Sequence, residues 1–284
     1  MILVTGATGG LGHQTIDFLL KTTPATKIAA LVRNLSKATD LMKQGIDVRQ
    51  ADYVDYPALV QAFQGIEKVL LVSAVAFTDR MRQHRNVIDA AVQAGVKHLF
   101  YTSIQRSTDF VMPEVTESDL ATEAYLKASG LVYTILKNGY YFEGLGYLIG
   151  NEVPDTEIRF PAGDGKIAFV KRTELAAATA SLLTSEGHDN QEYTLSGSEA
   201  YSFADIAREF SSLAGRPIAY QNSELAPYIA QKVAAGFPEV VATFLAQWGA
   251  AAKAGMLAGT SDTLERLLGR KPTSLREYLQ TTYF

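Results

Sequence analysis

The chain has 284 residues, with 26 lysines and arginines against 30 aspartates and glutamates, a hydrophobic share of 47% and no cysteine. That length and apolar content suit one large domain or a domain with an appended lobe, and a net charge of −4 lacks the basic field that a nucleic-acid backbone demands. The missing cysteines exclude disulfides, thiolate–zinc sites and thiol nucleophiles, and no uncharged run is both long and continuous enough to cross a bilayer.

A core strand is expected from Ile2, which leaves no room for a cleavable leader. A soluble, cytoplasmic protein is the expectation. From there to Lys137, short apolar runs alternate with amphipathic segments: Ile2–Thr5, Ile28–Val32, Ile46–Arg49, Lys68–Ser73, His98–Thr102 and Val132–Leu136. Continuous runs of this kind suit parallel strands buried on both faces. The segments between them carry helix punctuation. Asp55 precedes Tyr56-Pro57 as an N-cap, and Gly45, Gly95 and Gly130 each end a helical run before an apolar residue. Six strands alternating with helices predict a doubly wound, Rossmann-like α/β sheet over residues 1–137.

After Lys137 the pattern changes to a smaller, mainly helical lobe, 138–284, expected to pack on the core as one compact unit. Residues 138–146 are glycine- and aromatic-rich and read as a loop or broken helix. A helix over Arg172–Ser185, a strand near Glu192–Ser196, a helix capped by Ser202, alanine-rich helices over 224–259 and a capping box at Ser274–Glu277 follow.

The strongest local signal comes directly after the first strand. Thr5-Gly6-Ala7-Thr8-Gly9-Gly10-Leu11-Gly12 opens a helix that runs to Leu20. Gly6 permits the turn, Gly9 lets the backbone approach a pyrophosphate, and Gly12 lets helix and strand pack closely. The free N–H groups and positive dipole of the helix start then face the anion. A dinucleotide site is expected over Gly6, Ala7, Thr8, Gly9, Gly10, Leu11 and Gly12.

The end of the second strand selects the dinucleotide. A carboxylate there accepts from the ribose 2′-hydroxyl of NAD, but this chain has Arg33, 21 residues past Gly12. A guanidinium pairs with a 2′-phosphate and stacks on adenine, so NADPH is expected over NADH. Further strand ends should complete the site, since ligands of such sheets lie beyond the carboxyl edge. Asp52 is placed at the adenine amino group, Ser73-Ala74-Val75 beside ribose and pyrophosphate, and Tyr101-Thr102-Ser103 toward the nicotinamide.

The Gly6/Gly9/Gly12 spacing and the strand order resemble the short-chain dehydrogenase/reductase superfamily, and the resemblance implies a Tyr-x-x-x-Lys pair on the helix after the fifth strand, two side chains on one helical face. Only two lysines here have a tyrosine four residues earlier. Tyr133 and Lys137 lie on the sixth strand, roughly 13 Å apart, and Tyr228 and Lys232 lie far past the expected helix. On that helix, 115–129, the corresponding pair is Asp119 and Glu123.

These features resemble the NmrA-like, atypical branch of the short-chain dehydrogenase/reductases, and within it the bacterial NADPH:quinone oxidoreductase and triphenylmethane reductase group. The residues that carry the resemblance are Thr5–Gly12, Ile28–Asn34, Gly45–Tyr53, Ala94–His98, Tyr101–Ser103, Tyr133–Gly139, Ala162–Lys166 and Gly269–Glu277. The resemblance implies hydride transfer from NADPH to a quinone-like or other electron-poor organic acceptor. The group often has a histidine where Asp119 stands. Asp119 is therefore the candidate proton donor, Asn138 the candidate holder of the carboxamide or an acceptor oxygen, and Tyr140 a further catalytic candidate. The expected acceptor walls are Phe77, Ile104, Gln105, Tyr140, Tyr141 and Phe142. The partner is a small molecule. A homodimer is allowed but not argued for.

Two other readings compete. An NADP(H)-binding regulator without turnover would explain the missing relay, whereas a nucleotide-sugar epimerase would need it. The histidines (13, 84, 98 and 188) have no metal-ligand spacing, and no serine sits in a Gly-x-Ser-x-Gly frame.

Overall fold

The computed structural model describes residues 1–74, 79–106 and 116–284. The chain opens with β1 (Ile2–Val4), α1 (Gly10–Leu19), β2 (Ile28–Val32), α2 (Thr39–Lys43), β3 (Asp47–Gln50) and α3 (Tyr56–Ala62). Next come β4 (Lys68–Leu71), α4 (Arg80–Gln93), β5 (His98–Ile104), α5 (Ser118–Ala128) and β6 (Val132–Asn138). Short elements follow: β7 (Tyr140–Tyr141), α6 (Leu145–Ile149), β8 (Glu157–Phe160), β9 (Lys166–Ile167) and β10 (Phe169–Val170). The rest comprises α7 (Arg172–Thr184), β11 (Gln191–Leu195), β12 (Tyr201–Ser202), α8 (Phe203–Ala214) and β13 (Ala219–Asn222), then α9 (Leu225–Ala234), α10 (Glu239–Lys253), α11 (Thr263–Leu268) and α12 (Leu275–Tyr283).

Seven strands form a parallel sheet in the order β11-β6-β5-β4-β1-β2-β3. The order reverses between β1 and β4, and a crevice for ligands opens at such a switch point. The inner predicted strands are there because their residues are buried on both faces: every residue of β2 is buried, and Leu3, Val69, Leu71 and Leu99 meet in one core cluster, whereas β3, at the sheet edge, is exposed at Asp47 and Gln50. The expected punctuation holds as well. Asp55 accepts the Ala58 N–H at the start of α3, and Gly45, Gly95 and Gly130 adopt φ of 81°, 73° and 82°.

The seventh strand was predicted as a strand but not as part of this sheet. β11 pairs parallel with β6, Gln191 opposite Thr134 through Leu195 opposite Asn138. It is an edge strand, exposed at Gln191 and Glu192 and fully buried only at Leu195. It therefore lacks the apolar run that marks the inner strands. The connecting helix α7 is buried along most of its length, including Leu175, Ala176, Leu182 and Leu183.

The described residues fall into two compact units. One holds Met1–Ile104, 116–138 and Arg172–Leu195; the other holds Gln105 and Arg106, Gly139–Lys171 and Ser196–Phe284. The second unit contains three two-stranded pairs, β7 with β10, β9 with β12 and β8 with β13. Its core is aromatic: Phe160 lies 4.2 Å from Phe203, and Phe142 stacks on Tyr278 at 4.7 Å. Ser202 and Ser274 begin α8 and α12 with capping boxes. Among the described residues no helix is long and apolar enough to cross a membrane.

Candidate functional site

The glycine loop leaves β1 as a tight turn. Gly6 has φ of 58° and its carbonyl accepts the Gly9 N–H at 2.9 Å. The start of α1 then comes down on that turn so closely that a Cβ on Gly12 would lie 2.4 Å from the Gly6 oxygen. No larger residue fits there without moving backbone. The N-cap, Gly9, offers no side-chain hydrogen bond, and the first turn of α1 holds no acid. Its orphan N–H groups and positive dipole are left for an anion. The cradle thus fits a pyrophosphate.

A residue that sequence reasoning passed over holds the loop in place. The Tyr53 hydroxyl reaches Thr5 Oγ1 and donates to the Val72 carbonyl at 2.9 Å, while the Val72 N–H donates to Thr5 Oγ1 at 2.9 Å. The ends of β1 and β4 and the loop after β3 are tied at one point. Burial pushes the Tyr53 phenol well up, so it stays a neutral donor. Tyr53 stood in the quoted Gly45–Tyr53 stretch, but nothing in the sequence pairs it with Thr5, 48 residues away.

Arg33 follows β2 and is exposed; among the described residues no carboxylate lies within ion-pair distance of it. Its carbonyl accepts from Gln50 Nε2 at 3.0 Å, which fixes the backbone and leaves the guanidinium to solvent. Asp52 turns one carboxylate oxygen back to the Val54 N–H at 3.2 Å.

At the end of β4, Ser73 donates its N–H to Thr102 Oγ1 and Ala74 donates its N–H to His84 Nε2, each at 2.9 Å. Val75 and Phe77 lie outside the described residues. Since His84 Nε2 accepts, its proton is on Nδ1, which reaches Thr122 Oγ1 at 2.9 Å; that hydroxyl donates to the Ser118 carbonyl at 2.7 Å. Burial, helped by the nearby Arg80 cation, depresses the imidazole to about 3. The Ala74 carbonyl accepts from Arg80, which also donates to Asp119 Oδ1 at 2.9 Å. The Tyr101 hydroxyl donates to the same oxygen at 2.6 Å, and Asp119 is 1% exposed.

Glu123 takes a hydrogen bond from the Ser103 hydroxyl. Two strand residues separated by two positions span roughly 6.6 Å and two helix residues separated by four span about 6 Å. Tyr101 and Ser103 therefore meet Asp119 and Glu123 one to one. The helix face expected to carry a phenol and an amine carries two carboxylates that accept hydrogen bonds from β5.

Asn138 ends β6, opposite Ile104 and Leu195 in the sheet. It is 3% exposed, yet neither Oδ1 nor Nδ2 has a hydrogen-bond partner. A buried amide left so is costly. Its donor and acceptor match those of another primary carboxamide. Ile104 is half-buried at the end of β5.

In the second unit, Gln105 donates from Nε2 to the Gly259 carbonyl at 3.0 Å and leaves Oε1 buried without a partner. Its own carbonyl accepts from the Tyr140 hydroxyl. The Tyr140 ring meets Trp248 edge-on at 4.8 Å, and burial raises its phenol. Tyr141 is half-buried. Phe142, expected as an acceptor wall, is 0% exposed and lies between Tyr278 and Phe169.

The two Tyr-x-x-x-Lys pairs are used elsewhere. Tyr133 and Lys137 are both on β6, with Lys137 paired to Glu192 at 2.6 Å. The Tyr228 hydroxyl donates to the Leu148 carbonyl at 3.1 Å and Lys232 Nζ to the Tyr147 carbonyl at 2.7 Å. Together they satisfy the carbonyl end of α6.

A model of the NmrA-like family matches residues 1–279. Quinone oxidoreductase 2 of Escherichia coli K12 is 43% identical over 279 residues, 98% of this chain and 96% of that protein. The NAD(P)H azoreductase of Xenophilus azovorans is 29% identical over the same shares. Among solved structures, the E. coli NADPH-dependent quinone oxidoreductase complexed with NADPH has a TM-score of 0.91 at 40% identity, covering 99% of each chain. The Citrobacter triphenylmethane reductase complexed with NADP(H) has a TM-score of 0.94 at 35% identity, covering 99% of this chain and all of that one.

Proposed function

Because the chain belongs to the NmrA-like family, we propose that it is an NADPH-dependent reductase of quinone-like or other electron-poor organic acceptors. The observation that carries this reading is the conjunction of an open, capless helix start beneath the glycine turn with an unpaired Arg33 at the end of β2. NADPH, when bound, supplies the hydride; the protein supplies position.

In this reading the first-turn amides of α1 hold the pyrophosphate and Arg33 holds the 2′-phosphate. Asp52 serves the adenine, Ser73 and Ala74 border the ribose, and Thr102 and Ser103 stand toward the nicotinamide. Asn138 pairs its orphan amide with the carboxamide and so fixes the ring. Gln105, Tyr140 and Tyr141 are the acceptor-side candidates. Asp119 accepts two hydrogen bonds beside a guanidinium and serves as an anchor for Arg80 rather than as a proton donor. A quinone accepts its proton from water, since hydroquinone oxygens are far less basic than a secondary alkoxide, so no phenol–lysine relay is needed. The regulator reading loses ground because relatives that match across the whole chain are named as reductases.

Purified protein should oxidise NADPH when given benzoquinone or naphthoquinone. Tight NADPH binding with no turnover across a panel of quinones and dyes would sink the reductase reading. Arg33→Asp should weaken NADPH about 100-fold, as loss of a charge-assisted pair implies, and leave NADH within roughly threefold; equal losses would remove the 2′-phosphate assignment.

A further inference from the structure

Past Leu71, the last residue of β4, the chain runs on for three residues whose backbone groups are held by side chains from elsewhere in the fold. The Val72 N–H donates to Thr5 Oγ1 and its carbonyl accepts from Tyr53, and the Ser73 N–H donates to Thr102 Oγ1. Ala74 is held from both sides: its N–H donates to His84 Nε2 at 2.9 Å, and its carbonyl accepts from Arg80. Arg80 and His84 are four apart on α4 and so share one helical face. Behind them stand two residues of α5, three apart and again on one face. His84 Nδ1 reaches Thr122 Oγ1 at 2.9 Å, and Arg80 donates to Asp119 Oδ1 at 2.9 Å. Two chains of hydrogen bonds thus leave α5, cross α4 and end on the N–H and the carbonyl of one residue. His84, Asp119 and Thr122 are at most 1% exposed. Apolar side chains would fill such a place at a smaller desolvation cost. What the polar set adds is a fixed position for Ala74.

We propose that Arg80, His84, Asp119 and Thr122 are positioning residues for the coenzyme, which hold the end of β4 through Ala74 in the shape that the coenzyme binds. That strand end adjoins the switch point between β1 and β4, where the crevice opens. The proposal rests on the coenzyme reading above, which sets Ser73 and Ala74 beside the ribose, and adds to it the residues that act on the coenzyme through Ala74. A strand end ordered beforehand lowers the ordering cost that binding would otherwise bear. The α5 face that was expected to carry a phenol–lysine relay is turned here to orienting backbone. The ribose is common to NADPH and NADH, so the clamp contributes affinity to both, and Arg33 decides between them.

Calorimetric titration of the full-length protein with each coenzyme, beside thermal melts of the coenzyme-free protein, tests the assignment. Arg80→Met/Asp119→Asn removes the bond to the Ala74 carbonyl without leaving a buried charge. It should melt close to wild type, yet bind NADPH and NADH about 10-fold more weakly. His84→Phe keeps a ring against Tyr101 and removes the acceptor of the Ala74 N–H. It should show a similar loss, and His84→Gln, which restores an acceptor, should recover most of it. In both weakened variants the KM for NADPH should rise by the factor seen in calorimetry, with the KM for benzoquinone unmoved. Wild-type coenzyme affinity in a well-folded form of either variant would overturn the proposal and make these residues packing alone. A glutamine variant no better than the phenylalanine one would overturn it too, because the loss would not then run through the Ala74 N–H. So would intact coenzyme affinity with a raised KM for the quinone. If the double variant does not fold, the two His84 variants decide the matter. Should wild type bind neither coenzyme, the coenzyme reading itself fails, a result separate from all of these.

Discussion

Asp119 and Asn138 are both polar, both almost fully buried and both belong to the sheet-bearing unit, yet their surroundings are opposite. Asp119 is partnered: Arg80 and Tyr101 both donate to its Oδ1. Asn138 has no partner for either side-chain atom. A satisfied buried group is part of the architecture, because its desolvation is already offset. An unsatisfied one is a standing cost that a ligand can repay. The contrast assigns roles better than residue type does, since chemistry alone would favour the carboxylate as the catalytic group.

The largest effect expected from this contrast is on stability. Arg80 is 10% and Asp119 1% exposed, and removing one member of a buried pair leaves an uncompensated charge, a loss of about 3–5 kcal/mol. Asp119→Ala should therefore lower the urea midpoint steeply. The double variant Arg80→Met/Asp119→Asn should regain most of that, since Asn still accepts from Tyr101. A well-folded Asp119→Ala protein that has lost only turnover would return Asp119 to the role of proton donor.

His84 belongs to the same hydrogen-bonded network, and its titration gives the next effect. The folded imidazole is depressed to about 3 from 6.5, so between those values the unfolded chain binds a proton that the native state refuses. Its contribution to stability is complete above pH 6.5 and is lost as pH falls toward 3, at a slope of up to about 1.4 kcal/mol per pH unit. His84→Gln keeps an acceptor for the Ala74 N–H and removes the titration. Its acid limb should be flatter in denaturation curves measured across that range. An unchanged limb would assign the acid sensitivity to other groups.

The two kinds of site were not equally legible in the sequence. Most of the sheet strands were readable because burial on both faces writes an apolar run; β3, exposed at Asp47 and Gln50, followed from the alternation of strands with helices, and β11 was not assigned to the sheet because an edge strand such as Gln191–Leu195 need not be apolar. The glycine turn and Arg33 were readable because their chemistry depends on local spacing from a strand. Asn138 was readable as a strand-end residue, though not as an orphan. The Tyr53–Thr5 tie and the Asp119–Arg80 pair depend on residues far apart in the chain, and no local pattern announces them. Phe142 shows the limit from the other side. A glycine- and aromatic-rich stretch marks either a pocket or a core, and only its packing against Tyr278 and Phe169 shows this ring to be core.

Asn138→Leu sharpens the contrast because its sign is opposite to that of Asp119→Ala. No hydrogen bond is lost and an unpaired amide leaves the interior, so the coenzyme-free protein should gain about 1–2 kcal/mol. Turnover should fall about tenfold as the carboxamide loses its partner. A stability loss like that of Asp119→Ala would show that Asn138 is satisfied after all, by something other than a ligand.

The smallest effect is expected at Tyr228, which has the spacing of a catalytic relay but the bonding of a helix cap. Tyr228→Phe removes one hydrogen bond to the Leu148 carbonyl and should cost about 1 kcal/mol while leaving quinone turnover unchanged. The pair with Lys232 is partnered in the same sense as Asp119: both polar groups already serve carbonyls at the end of α6. A phenol whose proton is held by a backbone carbonyl, with burial raising its pKa, is a poor acid. If Tyr228→Phe instead lowered the rate a hundredfold with stability unmoved, bonding would have failed as a guide to role at the very position where it and sequence spacing disagree most.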